Sequence, residues 1–177
     1  MGAASICTAC IRRFVPSRSR CLRCALPLPD ACSRATPVEQ AAKEPGGGER
    51  LCADCLRTPP PFDLTTAALD YDPPWSDLIA RFKFQGHVGL ASALAQRLAQ
   101  AVAARGLEDP PSLAVPVPLA PSRLKERGYN QAWELARRVA TGLGQRSDPR
   151  LLLRIETGHA TIARQVGTGR AHRLRNV

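Results

Sequence analysis

An α/β protein with a mainly parallel sheet, preceded by a small cysteine-rich module, is the fold class this chain predicts. Three observations carry it. Short apolar runs alternate with helix-period stretches in the order strand, helix, helix, strand, helix, strand, a pattern that favours parallel pairing. The run VPVPLAPSRLKERGYNQ, residues 115 to 131, joins a strand end, a proline-stiffened loop and a basic helix entry in one segment. Three Cys-x2-Cys pairs crowd the first 55 residues, a segment too small to bury much of a core without help.

The cysteine-rich module is expected over residues 1–57 and the α/β domain over 58–177, with the stiff run TPPPF at the boundary. Cys7 pairs with Cys10, Cys21 with Cys24, and Cys52 with Cys55, while Cys32 stands apart. Two residues between thiols let one tight turn aim both sulfurs at a single ion, and two such turns complete the tetrahedral site of a zinc ribbon. Seven cysteines also fit metal ligation in a reducing compartment better than a disulfide framework, which uses an even number. The similar settings CLRCALPL and LCADCLR favour Cys21, Cys24, Cys52 and Cys55 as the ligands of a structural zinc, leaving Cys7 and Cys10 as half of a second site. Reduced, unligated thiols are the alternative. Residues 37–50, rich in Pro, Gly and charge, read as a flexible excursion between knuckles. Metal would then supply the folding energy of the module.

At 177 residues and 44% hydrophobic content the chain can hold one domain and a small module, which excludes a disordered protein. The net charge of +10 comes from 25 Lys and Arg, of which only Lys43, Lys83 and Lys125 are lysine. Guanidinium favours planar, bidentate contacts to phosphate or carboxylate; a solvated arginine surface is the competing reading. No stretch is long and apolar enough to insert in a membrane, and MGAASICTACIRRF lacks the core of a signal peptide. A cytoplasmic protein is expected.

Taken in order, LTTAALDY, residues 64–71, has the β-branched and aromatic content of a strand. Pro73 and Pro74 can open a helix with Leu78, Ile79 and Phe82 facing inward, Lys83 near its end and Gly86 as its stop. Residues 90–107 are the clearest helix, with Leu90, Leu94, Leu98 and Val102 on one stripe, Gly106 as C-cap, and Arg97 and Arg105 on a solvated face. Leu113 to Val115 read as the end of a fully buried strand, stopped by Pro116 and Pro118. Ser122 to Gly128 then bring donors and a flexible backbone to the strand's carboxyl end, where open α/β sheets hold ligands. Apolar residues recur from Tyr129 through Trp133, Ala136, Ala140 and Leu143 at helix spacing, and RLLLRI, residues 150–155, reads as a short buried strand. Trp133 and Tyr129 are expected in the core, Trp75 as an anchor for the linker, and the three histidines on the surface. The arginine-rich run from Arg154 onward is either an anion-binding flap or a basic tail, and no acid pair or nucleophile stands out.

The order of three knuckles, then DYDPPWSDLIARFKFQG, then VPVPLAPSRLKERGYNQA, then the spaced Thr161, Gln165, Arg173 and Asn176, resembles the ComF family over nearly the whole chain. FKFQG, VPVPL and RGYNQ are its most specific motifs. The resemblance implies a competence-associated protein, with a zinc ribbon ahead of a type I phosphoribosyltransferase-like domain. It implies phosphate or pyrophosphate contacts from Lys83, Arg127, Gly128, Asn130 and Gln131, and a flexible loop carrying Thr161, Gln165, Arg173 and Asn176. Its chemistry would be attack on C1 of phosphoribosyl pyrophosphate, with magnesium stabilising the departing pyrophosphate. The family's motif of two acids and a Thr-Thr-Gly-type loop should come after RLRNV, yet the chain stops at Val177; Thr168 replaces a usual leucine, and three knuckles stand where four are common. The chain is therefore expected to be trimmed at both ends and its phosphoribosyltransferase-like domain incomplete, with magnesium relevant only to the full-length site. The partners implied are single-stranded DNA or a phosphoribosyl compound, and competence helicase-type proteins. A non-catalytic interaction module is the remaining reading.

Overall fold

The computed structural model describes residues 6–15, 18–29 and 50–154. Its elements are α1 (Thr8–Phe14), α2 (Ala53–Arg57), α3 (Trp75–Phe84), α4 (Leu90–Ala103), β1 (Leu113–Ala114), α5 (Pro121–Arg127), α6 (Gln131–Gly142) and β2 (Arg146–Ser147). Helix and strand are thus mixed, and the sheet is small. β1 and β2 pair in parallel, Leu113 with Arg146 and Ala114 with Ser147, with α5 and α6 as the crossover between them.

Small side chains decide which helices meet. The principal helix contact is α4 on α6. On α4 the buried residues are Ala91, Ala93, Leu94 and Ala95, so the leucine stripe expected from spacing contributes only Leu94 to the fully buried set. Alanine lets the two backbones approach: a Cβ added at Gly142 of α6 would lie 3.6 Å from the Cβ of Ala99. Phe82, Ala91 and Leu94 form the core, with Leu69, Leu90, Tyr129 and Leu135 packed against them. Tyr129 sets its ring 5.9 Å from that of Phe82 and donates its hydroxyl hydrogen to the Phe82 carbonyl, which ties the end of α3 to the start of α6.

Helix ends follow their local sequence. Asn130 caps α6 by accepting from the amides of Ala132 at 2.9 Å and Trp133 at 3.3 Å. At the other end Gly144, with φ of 66°, closes a Schellman turn in which Gln145 N–H reaches Ala140 O at 2.8 Å and Gly144 N–H reaches Thr141 O at 3.3 Å. Gly86, at φ 69°, stops α3 as expected, and Gly106 takes φ 57° just past the last turn of α4.

Two expected strands are not formed. Residues 64–71 run as irregular chain, where the Thr65 amide bonds to Leu22 O at 3.4 Å instead of joining a ladder. Residues 150–154 are also irregular, with Leu151, Leu152 and Leu153 60%, 51% and 82% exposed; Ile155 lies outside the described residues. The strand falls earlier, at Arg146–Ser147, because the Schellman turn delivers the chain beside β1 within two residues. β1 is half-buried rather than fully buried, since it has one strand neighbour among the described residues and packs on α6. Among the described residues no helix is long and apolar enough to cross a membrane.

The cysteine-rich segment docks on the helical body through polar contacts. Trp75, 2% exposed, donates its indole N–H to Phe14 O at 2.6 Å, so it anchors the end of α1 where the linker was expected. Arg20 pairs with Asp70 at 2.6 Å, and Arg18 approaches the same carboxylate at 3.7 Å. Arg105 leaves the solvated face expected of it and donates to Leu22 O at 3.1 Å.

Candidate metal centre and cationic loop

Two different backbone devices aim the four sulfurs. Around Cys21 the chain makes a tight turn, with Cys21 N–H bonded to Leu26 O and Ala25 N–H bonded back to Cys21 O, both at 2.9 Å. Closing it puts Ala25 at φ 59°, a left-handed conformation that glycine adopts more readily. Cys52 instead precedes α2, and Cys55 sits within that helix, so the similar settings of the two pairs in sequence become a turn and a helix start. Leu22 N–H bonds Arg50 O at 2.9 Å and Cys52 N–H bonds the Cys21 sulfur at 3.3 Å, which clips the two devices together.

The sulfurs of Cys21, Cys24, Cys52 and Cys55 all lie within 4.8 Å of one another, and those of Cys24 and Cys52 are 3.6 Å apart. Zinc at about 2.3 Å from each of four thiolates needs sulfurs roughly 3.8 Å apart, so the cluster fits such an ion with little adjustment. Burial opposes the Cys21 thiolate, but the amides of Cys24, Cys52 and Arg23 outweigh it and pull the thiol down to about 6. Burial pushes Cys55 up to about 12, reinforced by the three neighbouring sulfurs. Cys24 is raised as well: the Leu26 amide favours its thiolate, but burial and the Cys21 and Cys52 sulfurs prevail. Four thiolates cannot be crowded together without a cation between them, and four protein ligands leave no open position for substrate, the mark of a structural site. Cys7 and Cys10 are not part of this cluster. Cys7 caps α1, its sulfur accepting from the Cys10 amide at 3.4 Å, and Cys32 lies outside the described residues.

The expected phosphate contacts are each held by a different local cause, and Asn130 reaches the loop after β1. Arg127 ends α5 and lies over the ring of Phe84, 5.1 Å from its centroid. Gly128 takes φ 76° and bonds Leu124 O at 2.8 Å, turning the chain toward α6. Asn130 spends its oxygen on the α6 cap and donates its amide to Val117 O at 3.2 Å, tying the helix to the loop after β1. Gln131 opens α6 with its side-chain oxygen buried and without a hydrogen-bond partner among the described residues. Lys83 is half-buried in the last turn of α3. Thr161, Gln165, Arg173 and Asn176 lie outside the described residues. Phe84, 57% exposed, is the neighbour that sequence reading missed; the FKF alternation, with Phe82 in the core, was the available signal.

Fold and site together define a mixed helix-and-strand protein with a small parallel sheet and a four-thiol cluster fit for a metal. The chain is 33% identical to the DNA utilization protein YhgH of Salmonella typhi over 90% of its own length and 65% of that protein. It is 32% identical to the protein of that name in Escherichia coli (strain K12), over 75% of this chain and 52% of the relative. Competence protein F of Haemophilus influenzae is 38% identical over 52% of the chain and 42% of that protein. The chain thus spans from 42 to 65% of the length of these curated relatives. These similarities support its assignment to the ComF family. No family model and no solved structure matches the chain.

Proposed function

We propose that this chain acts in DNA uptake or utilization, holding single-stranded DNA on an arginine-rich surface while a structural zinc maintains its amino-terminal module. The observation that carries the reading is the similarity to a DNA utilization protein along 90% of the chain. A net charge of +10 supplies the attraction, and displacement of counterions would make affinity fall steeply with salt. Reduced thiols accord with a cytoplasmic setting, in which competence helicase-type proteins are the partners to seek. Anisotropy of a labelled thymidine oligonucleotide tests the reading: affinity should decline with added salt, and an affinity indifferent to salt, or none, sinks it.

For the metal, protein purified without chelator should carry one zinc per chain. Cys21→Ser should lose it and Cys7→Ser should keep it. A ratio near zero in the unmodified chain removes zinc from the reading.

A second reading, binding of phosphoribosyl pyrophosphate with magnesium, is favoured by the position of Arg127 to Gln131 beside the loop after β1. Labelled phosphoribosyl pyrophosphate separates the two. Binding that is absent in the 177-residue chain and recovered in a carboxyl-extended form would assign the defect to truncation.

A further inference from the structure

We propose that Phe84 and Arg127 form a stacking platform for a base of single-stranded nucleic acid, flanked by cations for the adjoining phosphates. This rests on the nucleic-acid reading above and names the surface responsible for it. Along α3 the chain sends Phe82, 1% exposed, into the core and leaves Phe84, two residues later, 57% exposed. A phenyl ring left in water beside an arginine is unspent apolar surface, and here the guanidinium lies over it at 5.1 Å. The two side chains come from different helices, yet their supports are joined. Tyr129 bonds the Phe82 carbonyl from one side, and Gly128 fixes the turn immediately after Arg127. Ring and guanidinium are therefore positioned before any ligand arrives, which limits the entropy lost on binding.

The charges around the ring point to a polyanion. Arg81 is exposed one helical turn before Phe84 on the same helix face, and Lys83, half-buried, precedes Phe84 in sequence. Among the described residues none of the ion pairs involves Arg81, Lys83 or Arg127, so no carboxylate of those residues is paired with them. Phosphate alone would call for the cations and not for the ring. A base offers a π-face to ring or guanidinium, and its backbone offers phosphates to the flanking charges. A duplex keeps its bases stacked on each other, so the platform selects single strands.

The test uses the full chain and a labelled thymidine oligonucleotide. Phe84→Ala should weaken binding about tenfold while leaving the slope of log affinity against log salt unchanged, because a stack and not a phosphate contact is lost. Phe84→Trp should restore it, and Arg127→Lys, which keeps charge and loses the plane, should weaken binding at constant slope. Lys83→Gln should instead flatten the slope by about 0.7. An abasic strand of equal length should bind the unmodified chain and Phe84→Ala alike. If the unmodified chain binds with a salt dependence but Phe84→Ala binds equally tightly, or duplex and single strand depend equally on Phe84, the platform is overturned while the nucleic-acid reading stands. No binding at all overturns both.

Discussion

Ala25 shows how one residue bears the cost of closing a cysteine turn. The knuckle closes only if the residue after Cys24 adopts a left-handed backbone, and at φ 59° alanine does so under strain of roughly 1–2 kcal/mol. Ala25→Gly is therefore expected to stabilise the zinc-loaded module by about 1 kcal/mol, read as a higher denaturant midpoint and slower loss of zinc to a chelator. An unchanged midpoint would mean that the strain is absent. Glu134 makes a second residue-scale case. Burial works against its charge, but hydrogen bonds from Arg137 at 2.6 Å and Arg138 at 2.5 Å prevail and hold its carboxyl below the ordinary value of 4.5. A folded value lower than the unfolded one adds stability above the unfolded value, and that stability disappears as pH falls through the folded value. Acidification from 4.5 downward should thus erode stability, and Glu134→Gln should show a shallower decline in its unfolding midpoint over the same range.

For the elements, the ends of α6 carry the most information. Asn130 closes its start and also holds the loop after β1, so Asn130→Ala should destabilise by about 1–2 kcal/mol in urea unfolding. Asn130→Asp keeps the accepting oxygen and loses only the donor to Val117, and its cost should be smaller. At the far end two glycines two residues apart should respond oppositely to alanine. Gly144, at φ 66° with open space around it, is required by its backbone, and Gly144→Ala should cost roughly 1–2 kcal/mol. Gly142 is helical and an added Cβ makes only ordinary contact with Ala99, so Gly142→Ala should stabilise by up to about 1 kcal/mol. Equal effects at the two sites would refute the turn assignment.

Across the whole molecule, the amino-terminal segment and the helical body are joined by specific polar contacts, at Trp75 with Phe14, Arg20 with Asp70, and Arg105 with Leu22. Removing the metal is expected to release this docking as well as unfold the knuckles. In a Trp133→Phe variant, whose emission comes from Trp75 alone, a strong zinc chelator should therefore raise the emission wavelength as the buried indole meets water, and zinc should reverse the change. Emission that stays fixed while zinc is stripped would show that the docking does not depend on the ion.

Local sequence was enough for the knuckles, for α4 and α6 and for the Gly86 stop, because spacing, caps and backbone preference act over a few residues. The choice of four cysteines was also legible, though not the physical basis offered for it, since the two pairs turn out to be built differently. Strand reading at residues 64–71 and 150–154 failed because apolar and β-branched content says that a segment can extend, while only a neighbouring chain with free backbone groups makes it a strand. In the same way, the pairing of β1 with Arg146–Ser147, the alanine face of α4 and the meeting of Arg127 with Phe84 were decided by tertiary structure. Each depends on how closely two distant backbones approach, and that distance is a property of the folded molecule.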